Sequence, residues 1–172
     1  MNTRQLALLS VLTALCISIQ LTPRPPNIEF TSIISFVVGV IFGCSAGAFL
    51  GGMTMFINGF LSPWGFAGLN MPFQIIGMAA IGIIGGLYGK SMRGNHYSSR
   101  LISAEAAVLG AFLTLIYDIV TNAGFALLFK LDLIFVLIIG IWFSIIHVFT
   151  NSVLFGLSFL PLSKIIKQLY GG

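Results

Sequence analysis

The feature that most restricts this chain is the length of its apolar runs. Phe30–Leu61, Leu101–Phe129 and Leu133–Leu160 each exceed the ~20 residues that cross a bilayer as a helix, and Asp118 is the only acid placed well inside them. Charged residues make up 7% of the 172 residues and hydrophobic ones 58%, whereas a soluble domain carries about 25% charged residues. Such a chain has too few polar groups to cover a water-facing surface and is too apolar for a disordered tail. Its net charge of +4 comes from eight basic residues scattered along the sequence, not from the clustered stripe of a nucleic-acid binder. The fold class that follows is an all-α integral membrane protein, a compact six-helix transmembrane bundle forming one domain over residues 1–172. That length holds no separate soluble domain, so any ATP-consuming machinery is expected on another chain.

Approximate spans are 4–22, 30–43, 47–61, 73–89, 101–129 and 133–160. The first reads as an uncleaved helix. Ile17-Ser18-Ile19-Gln20 lacks the small-x-small site of a secretory signal, and Leu15 before Cys16 is not the small residue of a lipoprotein signal. The stretch from Phe30 to Leu61 is too long for one straight span. Gly39, Gly43, Gly47 and Gly51 would make a smooth packing face on a single continuous helix. Alternatively the chain reverses at Gly43-Cys44-Ser45-Ala46-Gly47, where glycine permits the backbone angles of a tight hairpin. The hairpin gives six spans and the continuous helix five, and either divides the eight basic residues six to two. Arg4 favours six, because the first basic residues usually set orientation. Arg4 then shares the cytoplasmic side with Lys90, Arg93, Arg100, Lys164 and Lys167, opposite Arg24 and Lys130. Both termini are expected in the cytoplasm, with Pro161 and the basic tail ending the last span.

A polar side chain inside lipid is costly and marks a functional site by default. Asp118 and Asn122 share a helix face at i, i+4, Tyr117 and Thr121 share a neighbouring one, and His147 and Asn151 repeat the spacing in the sixth span. Asn58 and Gln74 lie towards the external side. The functional reading is an outward-open cavity whose amides and carboxylate orient a small solute, with Trp64, Phe66, Phe73 and Phe125 giving apolar contact. Its substrate-binding set is Asn58, Trp64, Gln74, Asp118, Asn122, His147 and Asn151. In the competing reading these groups bond one another or the backbone and hold helices together. A buried carboxylate needs a partner, and for Asp118 that is His147 or Tyr117. Metalloprotease and phosphate-loop motifs are missing: there is no H-E-x-x-H, and Ile84 stands where a phosphate loop ending Gly89-Lys90-Ser91 needs its first glycine. His96 and His147 are too far apart for a metal motif, and Cys16 and Cys44 read as small buried apolar residues. No catalytic residue, metal or cofactor is expected.

Several segments now fall into a pattern. Pro25-Pro26-Asn27 precedes the second span, Phe42-Gly43-Cys44-Ser45-Ala46-Gly47 forms the turn, and Pro72-Phe73-Gln74-Ile75-Ile76-Gly77-Met78 opens the fourth span. Asp118-Ile119-Val120-Thr121-Asn122 and His147-Val148-Phe149-Thr150-Asn151 complete it. Their order and spacing resemble the substrate-binding S components of energy-coupling-factor (ECF) transporters, over nearly the whole chain. The resemblance implies a membrane subunit that binds a vitamin or related micronutrient from outside, without catalysis. It then joins a transmembrane coupling subunit and two cytoplasmic ATPases, and topples in the membrane to release its cargo. Small residues at helical spacing in the first helix, here Ala7, Ser10 and Ala14, would touch the coupling subunit. Two departures matter: Cys44 replaces the proline often found after the first glycine, and the chain starts Met1-Asn2 rather than the Met-His of nickel and cobalt members. A metal-ion substrate is therefore not expected. Aromatics, amides and one acid suit a flavin, a thiamine-like cation, a corrinoid or a modified base. The lean is towards cobalamin or a flavin, and towards a cation if Asp118 faces the pocket. The alternatives are a membrane scaffold, whose Asn58, Gln74, Asp118 and Asn122 would point away from any shared cavity, and a small intramembrane enzyme using Asp118 with His147.

Overall fold

The computed structural model describes residues 3–22, 25, 27–62, 66–92 and 98–171. Its elements are α1 (Thr3–Leu21), α2 (Thr31–Phe42), α3 (Cys44–Leu61), a short 3-10 turn (Gly68–Asn70), α4 (Met71–Ser91), α5 (Ser99–Phe129) and α6 (Leu133–Gly171). Among the described residues there is no strand, and five helices are long and apolar enough to cross a membrane. The exception is α2, which has 12 residues. At about 1.5 Å per residue it falls well short of the bilayer's hydrocarbon thickness. It does not have to face lipid: every residue from Thr31 to Gly39 is buried, because α1, α3, α4 and α6 surround it.

Between α2 and α3 the chain reverses at one residue. Gly43 adopts φ 98°, a left-handed angle open to glycine at little steric cost, and its N–H donates to the Gly39 carbonyl at 2.8 Å. A Cβ on Gly47 would lie 2.8 Å from the Gly39 Cα, and one on Gly51 would lie 3.0 Å from Ser35 Oγ, so α3 runs back along α2. The expected hairpin is present, but α3 begins at Cys44 rather than 47 because the turn consumes a single residue. The four-residue glycine repeat still forms a packing face, now divided across the hairpin. Gly82 of α4 rests on the Gly47 backbone, Gly39 faces the Gly82 carbonyl, Gly86 meets Cys44, and Gly89 meets Val40. Without side chains between them, three helices approach backbone to backbone, the packing that works in lipid where apolar burial gives no drive.

Phe36 of α2 anchors the core, its ring 5.5 Å from Tyr88, 5.4 Å from Phe155 and 5.9 Å from Phe159. The loop helices are capped locally. Ser98 Oγ accepts from the Leu101 N–H at the start of α5, Lys130 closes α5 in the left-handed region, and Asp132 Oδ1 accepts from the Phe135 N–H at 2.9 Å to start α6.

The end of α6 corrects the sequence expectation. The helix does not stop at Pro161 but continues to Gly171. Proline removes one backbone donor, and tertiary contacts beyond it hold the helix. Ile166 is buried, Tyr170 packs edge-on against Phe42 at 5.0 Å, and Arg4 donates to the Leu169 carbonyl at 3.3 Å while lying over the Tyr170 ring. These contacts gather both chain ends and the Gly43 turn at one end of the bundle. By connectivity, the α1–α2 linker, the segment before α4 and the Lys130–Asp132 turn lie at the other.

On α1, Leu9, Leu12, Thr13, Cys16 and Gln20 face inward. Ala7, Ser10 and Ala14 lie on the exposed side.

Candidate functional site

At the end away from the termini, four parts of the chain enclose a cavity of about 370 Å³. From α5 come Tyr117, Asp118, Thr121, Asn122 and Phe125. The i, i+3, i+4, i+7 spacing from Asp118 to Phe125 places them on one helix face. From α6 come Gly140, Phe143, Ser144 and His147, with the same spacing. The Lys130–Asp132 turn makes the two helices antiparallel neighbours, so the stripes meet. Asn70 and Gln74 contribute from the start of α4, and Asn27 from the α1–α2 linker.

Asn27 itself is held in the left-handed region at φ 64°. Its Nδ2 donates to the Phe143 carbonyl at 2.8 Å, and its own carbonyl accepts from Thr150 Oγ1 at 3.0 Å. The linker is thereby fastened to α6 at two points, and this is what brings Asn27 to the cavity wall.

The polar centre is a line of buried groups. His147 Nδ1 and Asp118 Oδ1 are hydrogen-bonded at 2.8 Å. On the other side of the ring, His147 Nε2 lies 3.9 Å from Glu29 Oε1. Glu29 accepts from the Ser32 N–H at 3.0 Å and from Asn151 Nδ2 at 3.1 Å. Asn151 Nδ2 also reaches Thr114 Oγ1 at 3.0 Å. Burial by itself would raise the Glu29 carboxyl pKa; the His147 imidazole and Ser32 outweigh it and hold it well below the ordinary carboxylate range. Burying a carboxylate is tolerable only with such partners. Asp118 Oδ2, Asn70 Oδ1 and His147 Nε2 have no hydrogen-bond partner among the described residues.

The residues singled out from the sequence are thus divided. Gln74, Asp118, Asn122 and His147 line one cavity. Asn122 also donates from Nδ2 to the Asp118 carbonyl at 2.8 Å, the pairing that the i, i+4 spacing offers. Asn151 lies behind that wall, fully buried and bonded to Glu29 and Thr114. Asn58 is not on the cavity wall, and its Oδ1 is buried in α3. Trp64 lies outside the described residues, as do Arg24, Arg93 and His96. Among the apolar residues, Phe125 lines the cavity, Phe73 packs its ring on Gly124, and Phe66 is exposed and stacked on Phe60. Of the two partners open to Asp118, the structure uses His147.

Sequence reasoning missed Glu29, Asn27, Asn70 and Ser144. Glu29 had one usable signal. It is one of only four acids in the chain and stands directly before an apolar helix, where a carboxylate finds free backbone N–H groups.

Closely packed apolar helices with a polar cavity at one end are the build of a multi-pass membrane protein with room for a small molecule. The family model for the substrate-specific component of ECF transporters matches residues 4–159. The chain belongs to that family, and it is accordingly a transporter subunit that binds substrate, not an enzyme. The Asp118–His147 pair is therefore part of a binding subunit, not a catalytic dyad. No curated protein matches the chain, and no solved structure matches it.

Proposed function

We propose that this chain captures a compact, polar micronutrient in the cavity between α4, α5 and α6 and passes it inward with an ECF coupling subunit and two ATPases. One observation carries the reading: Gln74, Asp118, Asn122 and His147, from three helices, line a single space together with Asn27. Groups serving only to join helices would have no reason to share a hollow. A volume of about 370 Å³ sits near the low end of the ~300–1,000 Å³ range of small-molecule pockets. That favours a single-ring or two-ring solute and argues against a corrinoid.

Charge supports capture from outside. Arg4, Lys90, Arg100, Lys164 and Lys167 belong by connectivity to the end opposite the cavity, and Lys130 to the cavity end. Basic residues concentrate on the cytoplasmic side of membrane proteins, so the cavity faces out and both termini face in. The exposed Ala7, Ser10 and Ala14 form a flat stripe on α1. Small side chains allow a neighbouring helix to approach closely, which suits them to the coupling subunit.

The test is to purify the protein from cells grown in rich medium, release bound small molecules by heat and identify them by mass spectrometry. A compact micronutrient recovered in proportion to protein is expected. Recovery of none, with no vitamin taken up by cells that also carry the coupling subunit and ATPases, would sink the reading.

A further inference from the structure

We infer that the solute bound in this cavity carries a cationic nitrogen, an amine, amidine or ring-nitrogen cation, seated against Asp118. The inference rests on the binding role proposed above and narrows it to a substrate class. Its first support is geometric. Asp118 lines the cavity, is only 8% exposed, and commits one oxygen to His147 at 2.8 Å. The other oxygen, Oδ2, has no partner among the described residues. A buried carboxylate oxygen without a donor loses the hydration it would have in water, and an unmet charged group is expensive. A ligand that brings an N–H donor and positive charge restores both.

The second support is the count of charges around it. Asp118, His147 and Glu29 form one row, with contacts of 2.8 Å and 3.9 Å. Two carboxylates share one imidazole. With the imidazole protonated and both acids ionised, the row carries a net charge of one negative. No lysine or arginine among the described residues lines the cavity. Lys130, at the same end, is exposed and is 12 residues beyond Asp118 on α5, about 18 Å along the helix. A cation on the ligand is the group that would balance the row inside a medium where lone charge is penalised.

The third support is the remaining wall. Phe125 and Phe143 give apolar surface, and Tyr117 adds an aromatic ring. Aromatic faces attract cations as well as flat rings. Gln74 and Asn122 offer amides for a neutral edge. An anionic solute would meet the Asp118 carboxylate and, among the described residues, no fixed cation.

Charge alone can be varied on the ligand, leaving the protein untouched. Pyridoxamine and pyridoxine differ in one substituent, an aminomethyl cation against a neutral hydroxymethyl. Thiamine, riboflavin, biotin and pantothenate extend the set to a second cation, a neutral flavin and two anions. Binding of each to the full-length protein in nanodiscs would be measured by equilibrium dialysis, beside native mass spectrometry of the solute that co-purifies. The expected result is a co-purified nitrogen cation, a preference of at least tenfold for cationic over matched neutral probes, and a loss of about 100-fold in Asp118→Asn. If Asp118→Asn does not fold, the comparison of probes on the wild-type protein decides alone. A co-purified neutral or anionic solute, or equal binding of the two charge classes, overturns the cation and leaves the binding role standing. Absence of any bound solute together with no binding of any probe overturns the binding role, and the inference with it.

Discussion

In the α2–α3–α4 group, glycine lets backbone meet backbone; between α4, α5 and α6, glycine instead makes room for rings. Gly82 rests on Gly47 and Gly85 on Phe36 with main-chain atoms as the nearest neighbours. Across the α4–α5 boundary, Tyr117 lies over Gly77 and Phe73 over Gly124, and on the α5–α6 side Phe155 lies over Gly110. The same residue type thus has opposite effects. In the first group it closes the gap between helices. In the second it seats an aromatic side chain, and of these rings Tyr117 also lines the polar cavity while Phe155 is fully buried in the core. The comparison teaches that small residues in a membrane bundle do not by themselves mean tight packing. What faces them decides.

The largest expected effect tests the polar group. His147→Ala removes the partner of Asp118 Oδ1 and leaves two buried carboxylates on either side of a hole. Breaking a buried pair in this way should cost about 3 kcal/mol or more, read as a large fall in thermal midpoint in detergent. An unchanged midpoint would mean that the row does not hold the bundle together. The next effect tests the closed group. Gly82→Ala places a methyl against the Gly47 backbone, which has no flexible end to move aside, and overpacking of this kind costs about 1–3 kcal/mol. The same substitution at Gly140, where the nearest atoms are Asn122 Oδ1 at 3.5 Å and Nδ2 at 3.9 Å, should leave the thermal midpoint nearly unaltered. If Gly82→Ala and Gly140→Ala melt alike, the contrast between the groups is wrong.

Smaller effects separate binding from folding. Gln74→Ala removes one amide from the cavity wall and should weaken solute binding by about 2- to 10-fold, the worth of one hydrogen bond, with no change in melting. Asn58→Ala should not alter affinity; a loss comparable to that of Gln74→Ala would show that the cavity extends to α3. Last, Ala14→Leu enlarges an exposed position on α1 and should change stability by no more than about 0.5 kcal/mol, leaving solute binding intact. Its expected consequence is loss of co-purification with the coupling subunit. Wild-type recovery of the complex would remove α1 from that interface.

How much of this was legible beforehand depends on range. The i, i+4 pairing of Asp118 with Asn122 and the need of Asp118 for a partner follow from local spacing and from the cost of charge in lipid. Both were readable, and His147 at matching depth in the next helix followed from the short α5–α6 turn. Asn151 shares His147's spacing, yet its buried side chain joins Glu29 and Thr114 behind the cavity wall. Periodicity assigns a face; it does not say what stands opposite. Pro161 predicts a stop because a proline removes a local bond, but contacts with Phe42 and Arg4 from distant segments carry the helix onward.

The sequence by itself determined the solvent and the approximate spans, and offered a reversal at Gly43–Gly47 beside a continuous helix, since apolar length, spacing and backbone freedom are properties of neighbours along the chain. Only the tertiary structure decided that Glu29 joins Asp118 through His147, and that Asn27 reaches the wall from the α1–α2 linker. Those groups are 89 residues apart in the first case, and their meeting depends on how helices cross. The physical reason is that crossing is set by steric fit between whole faces, above all the glycine contacts of α2, α3 and α4, and no local pattern encodes which faces will touch.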